Sequence, residues 1–256
     1  MDNVNKTLYI PLYGKALVSR RGLILEDKTA EEIWQAQGFP LKGKPASKWL
    51  AYTMAMRAGV FDNWLREQLT ADAVVLHLGC GLDSRCLRVT CGNPWFDVDF
   101  PAVIGERRKY FSETESYRMI GCDLRGNWLD SVPKGGSAIV VMEGVSMYLT
   151  AQERQELLGK LQSHFSQVRI LLDGYTIFGA RMSKYKNPVR DVGVTEVFGF
   201  DDPRELETGT GFSFLREHDM MPETMIALLP RGEQRIFRLL FAGKTGKKFY
   251  RMYEYA

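Results

Sequence analysis

The sequence predicts an α/β fold whose mostly parallel sheet is covered by helices on both faces. Two features of the chain indicate this fold. From residue 73 onward, short apolar runs rich in valine, isoleucine and leucine alternate with helical stretches, as expected for parallel strands that are buried on both sides. Before residue 70 the apolar spacing is helical instead. At 256 residues the chain has room for one large core and an elaboration of it.

The change of pattern near residue 70 predicts the domain organisation. We expect residues 1–70 to form a helical lid and residues 71–256 to form the core, with insertions after residue 175 that cover a substrate, all within one structural unit. The sequence contains no internal repeat and no linker rich in proline, glycine or serine that would separate two domains.

Three helices are predicted in the lid. The stretch "PLYGKALVSR" places Pro11 at a first helical position, where its missing N–H is no loss. In "TAEEIWQAQG", Thr29 and Glu32 have the spacing of a capping box, and Gly38 is a stop signal. The third stretch, "SKWLAYTMAMRAGVFDNWLREQL", is long and amphipathic, and its methionines and aromatic residues recur at a spacing that favours core packing.

Five buried strands are predicted in the core. They are "AVVLHLGC", "WFDVDF", "YRMIGCDL", "SAIVVMEG" and "VRILLDGY". Before the last of them, Thr150 and Glu153 form a capping box that begins the helix "TAQERQELLGKLQSHF". After Tyr175 we expect a helix near "IFGARMSKY", a turn of helix that Pro203 begins in "DDPRELE", and a strand in "GFSFLREHDM". A helix in "RGEQRIFRLLFAG" and a final strand, "KKFYRMYEYA", antiparallel at the edge of the sheet, complete the prediction.

The composition favours small-molecule chemistry over macromolecular binding. The net charge is +3, with 34 basic and 31 acidic residues interspersed, so no strong field points to nucleic acid or an anionic membrane as a partner. The four cysteines have no CxxC spacing and no neighbouring histidines, which argues against a metal site and favours reduced thiols. Without a signal peptide or an apolar run of about 18 residues, we expect a cytoplasmic protein; the oligomeric state stays open.

The first predicted strand ends in a glycine turn, Gly79-Cys80-Gly81. Such a turn lets the backbone approach a bound nucleoside, and the following helix presents unpaired N–H groups to it. A dinucleotide fingerprint requires a third glycine, but Ser84 stands there and Arg85 follows it. The turn alone is therefore compatible with NAD, with another nucleoside cofactor, or with a plain strand-to-helix connection.

Carboxylates follow three successive strands at the same edge of the predicted sheet. Asp99 is placed to accept two ribose hydroxyls, Asp123 to accept an adenine amine, and Glu143 lies beside the small Gly144. Taken singly, Asp99 could cap the helix that Pro101 begins, and Asp123 could be a turn residue, but a carboxylate directly after "SAIVVM" needs a partner. Together they suit S-adenosylmethionine, with its cationic amino-acid tail, better than NAD with its pyrophosphate.

Several motifs in one order give the chain a resemblance to a known family. They are "TLYIPLYGKALVSRRGLILEDKTAEEI", "MRAGVFDNWLRE", "VVLHLGCGLDSR", "WFDVDFPAVIGERRKYF", "MEGVSMYLT" and "DDPRELE". These stretches are spread over most of the sequence, and in them the chain resembles the leucine carboxyl methyltransferase family, and within it the bacterial tetracenomycin-type polyketide O-methyltransferases. The resemblance implies a class I S-adenosylmethionine-dependent methyltransferase fold with a Rossmann-like sheet, an antiparallel edge and an N-terminal helical lid.

The resemblance also implies which residues bind S-adenosylmethionine, and it implies S-adenosylhomocysteine as the product that the reaction leaves. Arg57 and, in a looser match, Lys15 correspond to the basic residues at the methionine carboxylate. The remaining matched positions are the turn Gly79, Cys80 and Gly81, the ribose ligand Asp99, the adenine neighbours Asp123 and Leu124, and Glu143 with Gly144 near the methionine end. At the place where other methyltransferases often carry an acid stands His77, which we interpret as a packed residue, and we assign Arg85 a structural role.

The chemistry of the acceptor favours a carboxylate over a hydroxyl. A carboxylate, with a pKa of about 4, is ionised at neutral pH and needs no general base, whereas a phenol, near pKa 10, usually does. The chain has only three histidines, His77, His164 and His218, and none is an obvious base. We therefore expect an O-methyltransferase that acts on a carboxylate, or a hydroxyl, of a small polyketide-like acceptor.

The residues that bind the acceptor are less well defined. The candidates for a catalytic or docking role are Tyr148, which lies within the fourth-strand motif, and Tyr175, Arg181 and Arg20, each of which could equally be a surface residue. Two other functions stay open at this point. An NAD-dependent oxidoreductase would bind NAD and ignore S-adenosylmethionine, and a non-catalytic protein of the same fold would bind S-adenosylmethionine or S-adenosylhomocysteine without methyl transfer.

Overall fold

The computed structural model describes residues 8–37, 41, 43–89, 91–186 and 196–256. In this part of the chain, seven strands form one sheet. They are β1 (Ala73–Leu78), β2 (Trp95–Asp99), β3 (Tyr117–Gly121), β4 (Ser137–Met142), β5 (Gln167–Tyr175), β6 (Phe214–His218) and β7 (Tyr250–Tyr255). Their order across the sheet is β3-β2-β1-β4-β5-β7-β6, so the chain reverses direction across the sheet between β3 and β4.

The strand directions confirm the predicted fold class. Strands β1 to β5 are parallel, and β7 lies antiparallel between β5 and β6. The final strand is therefore antiparallel, as predicted, but lies one strand in from the edge, because β6 pairs with its other side. With this order, the carboxyl ends of β1 to β5 meet at one edge of the sheet, which is where open α/β sheets bind their ligands.

Ten α-helices accompany the sheet in the described residues. They are α1 (Tyr9–Arg20), α2 (Lys28–Gln37), α3 (Lys48–Gln68), α4 (Arg85–Arg88), α5 (Pro101–Arg107), α6 (Ala151–His164), α7 (Ile177–Lys186), α8 (Glu223–Ile226), α9 (Arg231–Leu240) and α10 (Gly243–Lys247). No helix of the described ranges has both the length and the apolar composition that crossing a membrane requires.

The structure confirms one predicted helix cap and corrects another. Thr150 and Glu153 form the reciprocal capping box at the start of α6. In α2 the predicted Thr29–Glu32 box is wrong, because the helix begins at Lys28 and the carboxylate of Asp27 accepts the N–H of Ala30 at 2.8 Å. An aspartate two residues earlier supplies the capping oxygen, so Thr29 lies inside the first turn. The predicted stop, Gly38, lies outside the described residues.

Alternate residues of the strands point into two apolar clusters, one on each face of the sheet. Leu76 and Val140 belong to the cluster that α6 covers, whereas their neighbours Val75 and Val141 belong to the cluster that α3 covers. This is the period of two that a sheet buried on both faces requires. A third cluster joins α1 and α2 to the glycine turn through Leu82. The N-terminal helices thus pack both under the sheet and over its ligand-binding edge.

A buried carboxylate in β2 anchors the glycine turn to the sheet. Asp97 is fully buried and accepts from Arg107 (2.5 Å), Tyr117 (2.5 Å) and Trp95 (2.8 Å). Arg107, which is also fully buried, donates in addition to the carbonyl of Gly81 at 3.0 Å. Burial by itself raises the pKa of Asp97, but Arg107 and the hydrogen bonds from His77 and Tyr117 outweigh it and hold the pKa at about 2.

The lowered pKa of Asp97 predicts a loss of stability in acid. Because the folded-state pKa lies below the unfolded value of 3.8, the charge stabilises the fold above about pH 4, and this contribution is lost as the pH falls towards 2. The difference corresponds to roughly 2 kcal/mol. In urea unfolding between pH 6 and pH 2, the gap in free energy of unfolding between the wild type and Asp97→Asn should shrink. A gap that stays constant over this range, as we expect for the exposed control Asp72→Asn, contradicts the argument.

Candidate functional site

A cavity of about 650 Å³ lies at the carboxyl ends of β1 to β5. The glycine turn and the strand ends form one side of it, and side chains of α1 and α3 form the other. The lining includes ten of the residues that the sequence singled out: Lys15, Arg57, Gly79, Cys80, Gly81, Asp99, Asp123, Leu124, Glu143 and Gly144. The topology therefore brings the predicted cofactor residues together in one place.

The glycine turn is shaped by two left-handed residues. Gly79 has φ +67° and Gly81 has φ +53°, a region that other residues rarely adopt. A Cβ on Gly79 would lie 2.1 Å from Cγ2 of Val145, so a side chain at this position does not fit. Cys80 between them is buried, and both its N–H and that of Gly79 donate to the carbonyl of Val98. The turn thus presents bare backbone to the cavity, as close approach of a nucleoside requires.

Asp99 is held at the end of β2 by the backbone around it. Its Oδ2 accepts from the N–H of Gly81 at 2.8 Å, and its Oδ1 accepts from the N–H of Phe100 at 2.7 Å. Helix α5 has Phe100 at its N-cap position with no side-chain cap, so Asp99 is not the cap of that helix. Burial raises the pKa of Asp99, although these two N–H groups oppose the shift. The carboxylate lines the cavity in a fixed orientation.

The end of β3 contributes a carboxylate that already has a partner. Asp123 accepts from Arg125 through Nε at 2.9 Å and Nη2 at 2.5 Å, and also from the Arg125 N–H at 2.9 Å. The pair with Arg125 lowers the pKa of Asp123. Leu124 follows it, is buried, and lines the same part of the cavity. Asp123 therefore serves as a turn residue and a cavity residue at once.

The ends of β4 and β5 meet a buried arginine of α3. Arg57 donates through Nε to Glu143 at 2.9 Å, and its Nη1 lies 3.4 Å from Oδ2 of Asp173. Gly144, with φ +72°, donates its N–H to Oδ1 of Asp173 at 2.6 Å, and a Cβ on Gly144 would lie 3.4 Å from the guanidinium. Burial lowers the pKa of Arg57, but the two carboxylates outweigh this and raise it, so the guanidinium stays charged.

A second buried ion cluster supports the glycine turn from α1, α3 and α4. Lys15 pairs with Asp83 at 3.0 Å, and Arg85 donates to Asp62 at 2.7 Å and to Glu143. All of these side chains are at least nine-tenths buried. Arg85 is fully buried and engaged on all sides, and this geometry fits a structural role.

His77 is buried in the cavity wall between charged groups. Its Nδ1 lies 3.2 Å from Asp97, and its Nε2 lies 3.0 Å from Arg85. The other two histidines lie outside the cavity: His164 contacts the carbonyls of Val132 and Pro133, and His218 contacts Glu254. In the described chain, His77 is the one histidine that lines the cavity, and both of its ring nitrogens face charged partners; no cluster of potential metal ligands occurs in the same residues.

Another part of the cavity lining is apolar and aromatic. It combines side chains of α1 and α3 with residues from the ends of β4, β5 and β7 and from the segment 196–220: Leu12, Met54, Met147, Tyr148, Tyr175, Phe198, Met220 and Tyr250. Arg20 and Arg181, proposed above for docking, are exposed and do not line this cavity. The three cations that do line it in the described chain, Lys15, Arg57 and Arg125, are each paired with a carboxylate.

Sequence reasoning missed two residues of this site. Asp173 lies in "LLDGY", where a carboxylate follows an apolar strand, and this is the signal that identified Glu143. Tyr250 carries no such signal, because only the pairing of β7 with β5 places it opposite Tyr175. Their rings meet edge-on, with centroids 5.0 Å apart.

The geometry of the glycine turn predicts that Gly79→Ala is destabilising. The left-handed backbone alone costs about 1–3 kcal/mol for a residue with a side chain, and the clash with Val145 adds to it. The double variant Gly79→Ala with Val145→Ala should recover only the part of the lost free energy of unfolding that the clash causes. Gly105→Ala is the control: this glycine is exposed in α5 with no neighbour near its Cβ, so its replacement should stabilise by roughly 0.5–1 kcal/mol. Equal free energies of unfolding for both single variants contradict this account.

Comparison with known proteins identifies the family. Residues 3–162 match the family model for leucine carboxyl methyltransferase. The tetracenomycin polyketide synthesis O-methyltransferase TcmP of Streptomyces glaucescens is 33% identical over 89% of this chain and 87% of its own length. The S-adenosyl-L-methionine-dependent methyltransferase dpfgK of Gibberella zeae is 32% identical over 81% of this chain and 79% of its own.

A solved structure supports the fold. The magnesium protoporphyrin IX methyltransferase ChlM of Synechocystis, solved with S-adenosylhomocysteine, superposes with a TM-score of 0.53 at 14% identity, over 89% of this chain and 93% of its own. At that identity the likeness concerns the fold alone. The prediction of S-adenosylmethionine in preference to NAD is confirmed by the family and the relatives. This chain belongs to the leucine carboxyl methyltransferase family and is an S-adenosylmethionine-dependent methyltransferase.

Proposed function

We propose that this methyltransferase transfers a methyl group to a carboxylate or hydroxyl oxygen of a small, flat, polyketide-like acceptor. The observation that carries the proposal is that the cavity lining contains two chemically different sets of residues. Backbone and carboxylates at the strand ends form a polar half, and aromatic and methionine side chains form an aromatic half for the acceptor. The relative TcmP, from tetracenomycin polyketide synthesis, supports an acceptor of this class.

The polar half fits the cofactor in the chemistry of its donors. Asp99 offers carboxylate oxygens of the kind that ribose hydroxyls need, the bare turn at Gly79 leaves room that a Cβ would fill, and Leu124 offers an apolar contact for adenine. Arg57 and Lys15 are the cations for a methionine carboxylate. We assign Glu143 the role of orienting Arg57, because Glu143 is buried and pairs with both Arg57 and Arg85.

S-adenosylmethionine supplies an electrophilic methyl group whose bonding electrons stay on sulfur. The protein's part is to hold an acceptor oxygen in line and to exclude water. Helices α1 and α3 contribute Leu12 and Met54 to the cavity wall, which supports a lid role for residues 1–70. Phe198 and Met220 similarly support a covering role for the segment after residue 175. An ionised carboxylate placed here needs no base.

The compartment that we propose is the cytoplasm. The four cysteines, Cys80, Cys86, Cys91 and Cys122, are all free thiols, although each is at least partly buried. Free cysteines are usual in a reducing compartment. A small-molecule acceptor and a soluble cofactor are compatible with this location.

The assignment of Asp99 predicts a loss of cofactor affinity in Asp99→Asn. The variant keeps one oxygen for the N–H groups of the turn but removes the charge that strengthens the contacts to ribose hydroxyls. We expect S-adenosylhomocysteine to bind at least tenfold more weakly, about 1.4 kcal/mol, in a calorimetric titration. Asp72→Asn, which removes an exposed carboxylate outside the cavity, should bind as the wild type does. Equal affinities in the two variants contradict the role of Asp99.

The proposed reaction is tested with aromatic acids as acceptors. Incubation with S-adenosylmethionine and a panel of naphthoic and anthracene carboxylic acids should release S-adenosylhomocysteine and the methyl esters, both measurable by mass spectrometry. Thermal unfolding should shift upward with S-adenosylhomocysteine and not with NAD, since only the former binds the folded state. Binding of S-adenosylhomocysteine without transfer to any acid or phenol of the panel supports the non-catalytic alternative instead.

A further inference from the structure

We propose that Asp173 and Tyr250 form a proton-accepting pair, which lets this site methylate a neutral aromatic hydroxyl as well as an ionised carboxylate. The inference rests on the proposed function and names the residues that make its hydroxyl acceptor possible. It supplies the general base that the histidines do not provide, because His164 and His218 lie outside the cavity and His77 is held between Asp97 and Arg85.

The pair lies where the acceptor half of the cavity meets Arg57. Tyr250 lines the cavity, and its oxygen accepts from Nη1 of Arg57 at 3.4 Å. The same Nη1 lies 3.4 Å from Oδ2 of Asp173. One guanidinium nitrogen thus holds the phenol and the carboxylate side by side. Since the phenol oxygen already accepts from Arg57, its own proton is available to the neighbouring carboxylate or to an acceptor.

The two carboxylate oxygens of Asp173 differ in their hydrogen bonding. Its Oδ1 accepts from the N–H of Gly144 at 2.6 Å, which fixes the carboxylate in the sheet. Its Oδ2 is buried and accepts no hydrogen bond of good geometry from the described residues, although Nη1 of Arg57 lies 3.4 Å away and the Tyr250 hydroxyl interacts with the carboxylate. A buried carboxylate oxygen without such a bond is costly, and a proton that reaches it removes that cost.

The surroundings prepare Asp173 to accept a proton near neutral pH. Burial raises its pKa to about 6, and Glu143 adds to the shift, while Arg57, the N–H of Gly144 and Tyr250 oppose it. Burial and Asp173 also raise the pKa of Tyr250, so this phenol stays protonated and acts as a relay. The charged and titratable groups that face the pair are Arg57 from α3, Glu143 after β4, Tyr175 of β5, and Tyr148 in the turn at 146–148.

The proposed step moves two protons and leaves the acceptor oxygen with its electron pair. The acceptor O–H gives its proton to the oxygen of Tyr250, and Tyr250 passes its own proton to Oδ2 of Asp173. The acceptor oxygen then uses the freed pair to form the bond to the methyl carbon. Asp173 returns its proton to solvent by the same route, through Tyr250 and the cavity, after the product has left. A carboxylate acceptor has no proton to give and bypasses the pair.

Two acceptors of matched size test the pair: 2-naphthol and 2-naphthoic acid, each assayed with the wild type and with Tyr250→Phe. The phenylalanine keeps the ring against Tyr175 and removes only the hydroxyl. On naphthol we expect the rate to fall by about a hundredfold or more, the range of a lost general base, with little change on naphthoic acid. For the wild type on naphthol, the rate should fall as the pH drops through about 6, because Asp173 must be ionised to accept a proton.

Tyr253→Phe is the matched control. Tyr253 lies on the same strand, is buried against Phe200 and Phe214, and does not line the cavity, so this variant should keep both activities. Equal losses of Tyr250→Phe on the two acceptors, or methylation of the acid alone by the wild type, overturn the pair and leave the proposed function standing. Failure of the wild type on both acceptors, despite binding of S-adenosylhomocysteine, overturns the proposed function and the pair with it.

A second measurement does not depend on turnover. Carbon-13 labelling of aspartate carboxyls allows Asp173 to be titrated by NMR in the protein without cofactor, with Asp173→Asn identifying its signal. We expect titration near pH 6, shifted upward in Tyr250→Phe because the phenol stabilises the charged form. A signal that titrates below pH 4, or that does not respond to Tyr250→Phe, overturns the pair.

Discussion

The guanidinium of Arg57 lies between two buried carboxylates, and the architecture of the site depends on this contact. Glu143 follows β4 and Asp173 belongs to β5, whereas Arg57 belongs to α3. The contact therefore ties helix α3 to the sheet beside the cavity. Three charges can be buried here because each has further partners, such as Arg85 for Glu143 and the N–H of Gly144 for Asp173.

The ion cluster around Asp83 extends the same constraint to the glycine turn. Lys15 of α1 and Arg88 of α4 both pair with Asp83, and Arg88 also reaches Asp27 before α2. The N-terminal helices and the glycine turn thus share buried charges. Removal of one member leaves another charge buried without its partner, at a cost of about 3–5 kcal/mol, so charge-conserving substitutions are the informative ones.

The electrostatics of the cavity also bear on its acceptor. Every cation that lines it in the described chain is balanced by a carboxylate, and the aromatic half adds no further positive charge. Under the proposed function, recognition of the acceptor therefore depends on shape, on apolar contact and on the tyrosine hydroxyls. A flat aromatic acid or phenol matches such a wall, because aromatic and methionine side chains gain most from burying rings.

Much of the site followed from local pattern, since the ends of parallel strands necessarily meet. Gly79, Asp99 and Glu143 could be placed together because each directly follows an apolar strand. The cap of α2 could not be predicted in this way, because Thr29 and Asp27 are both suitable capping residues. Tertiary contacts favour the aspartate, since its carboxylate also accepts hydrogen bonds from Ser84 at 2.6 Å and Arg88 at 2.6 Å.

The sequence by itself determined the α/β class, the glycine turn, the carboxylates at the strand ends and the family, because these depend on periodicity and on short motifs. Only the tertiary structure decided that Arg57 is shared between Glu143 and Asp173, that Tyr250 joins them, and that Arg20 and Arg181 lie outside the cavity. The physical reason is that these contacts join elements far apart in the chain. Their partners are chosen by strand pairing and by the balance of buried charge, and neither leaves a local pattern.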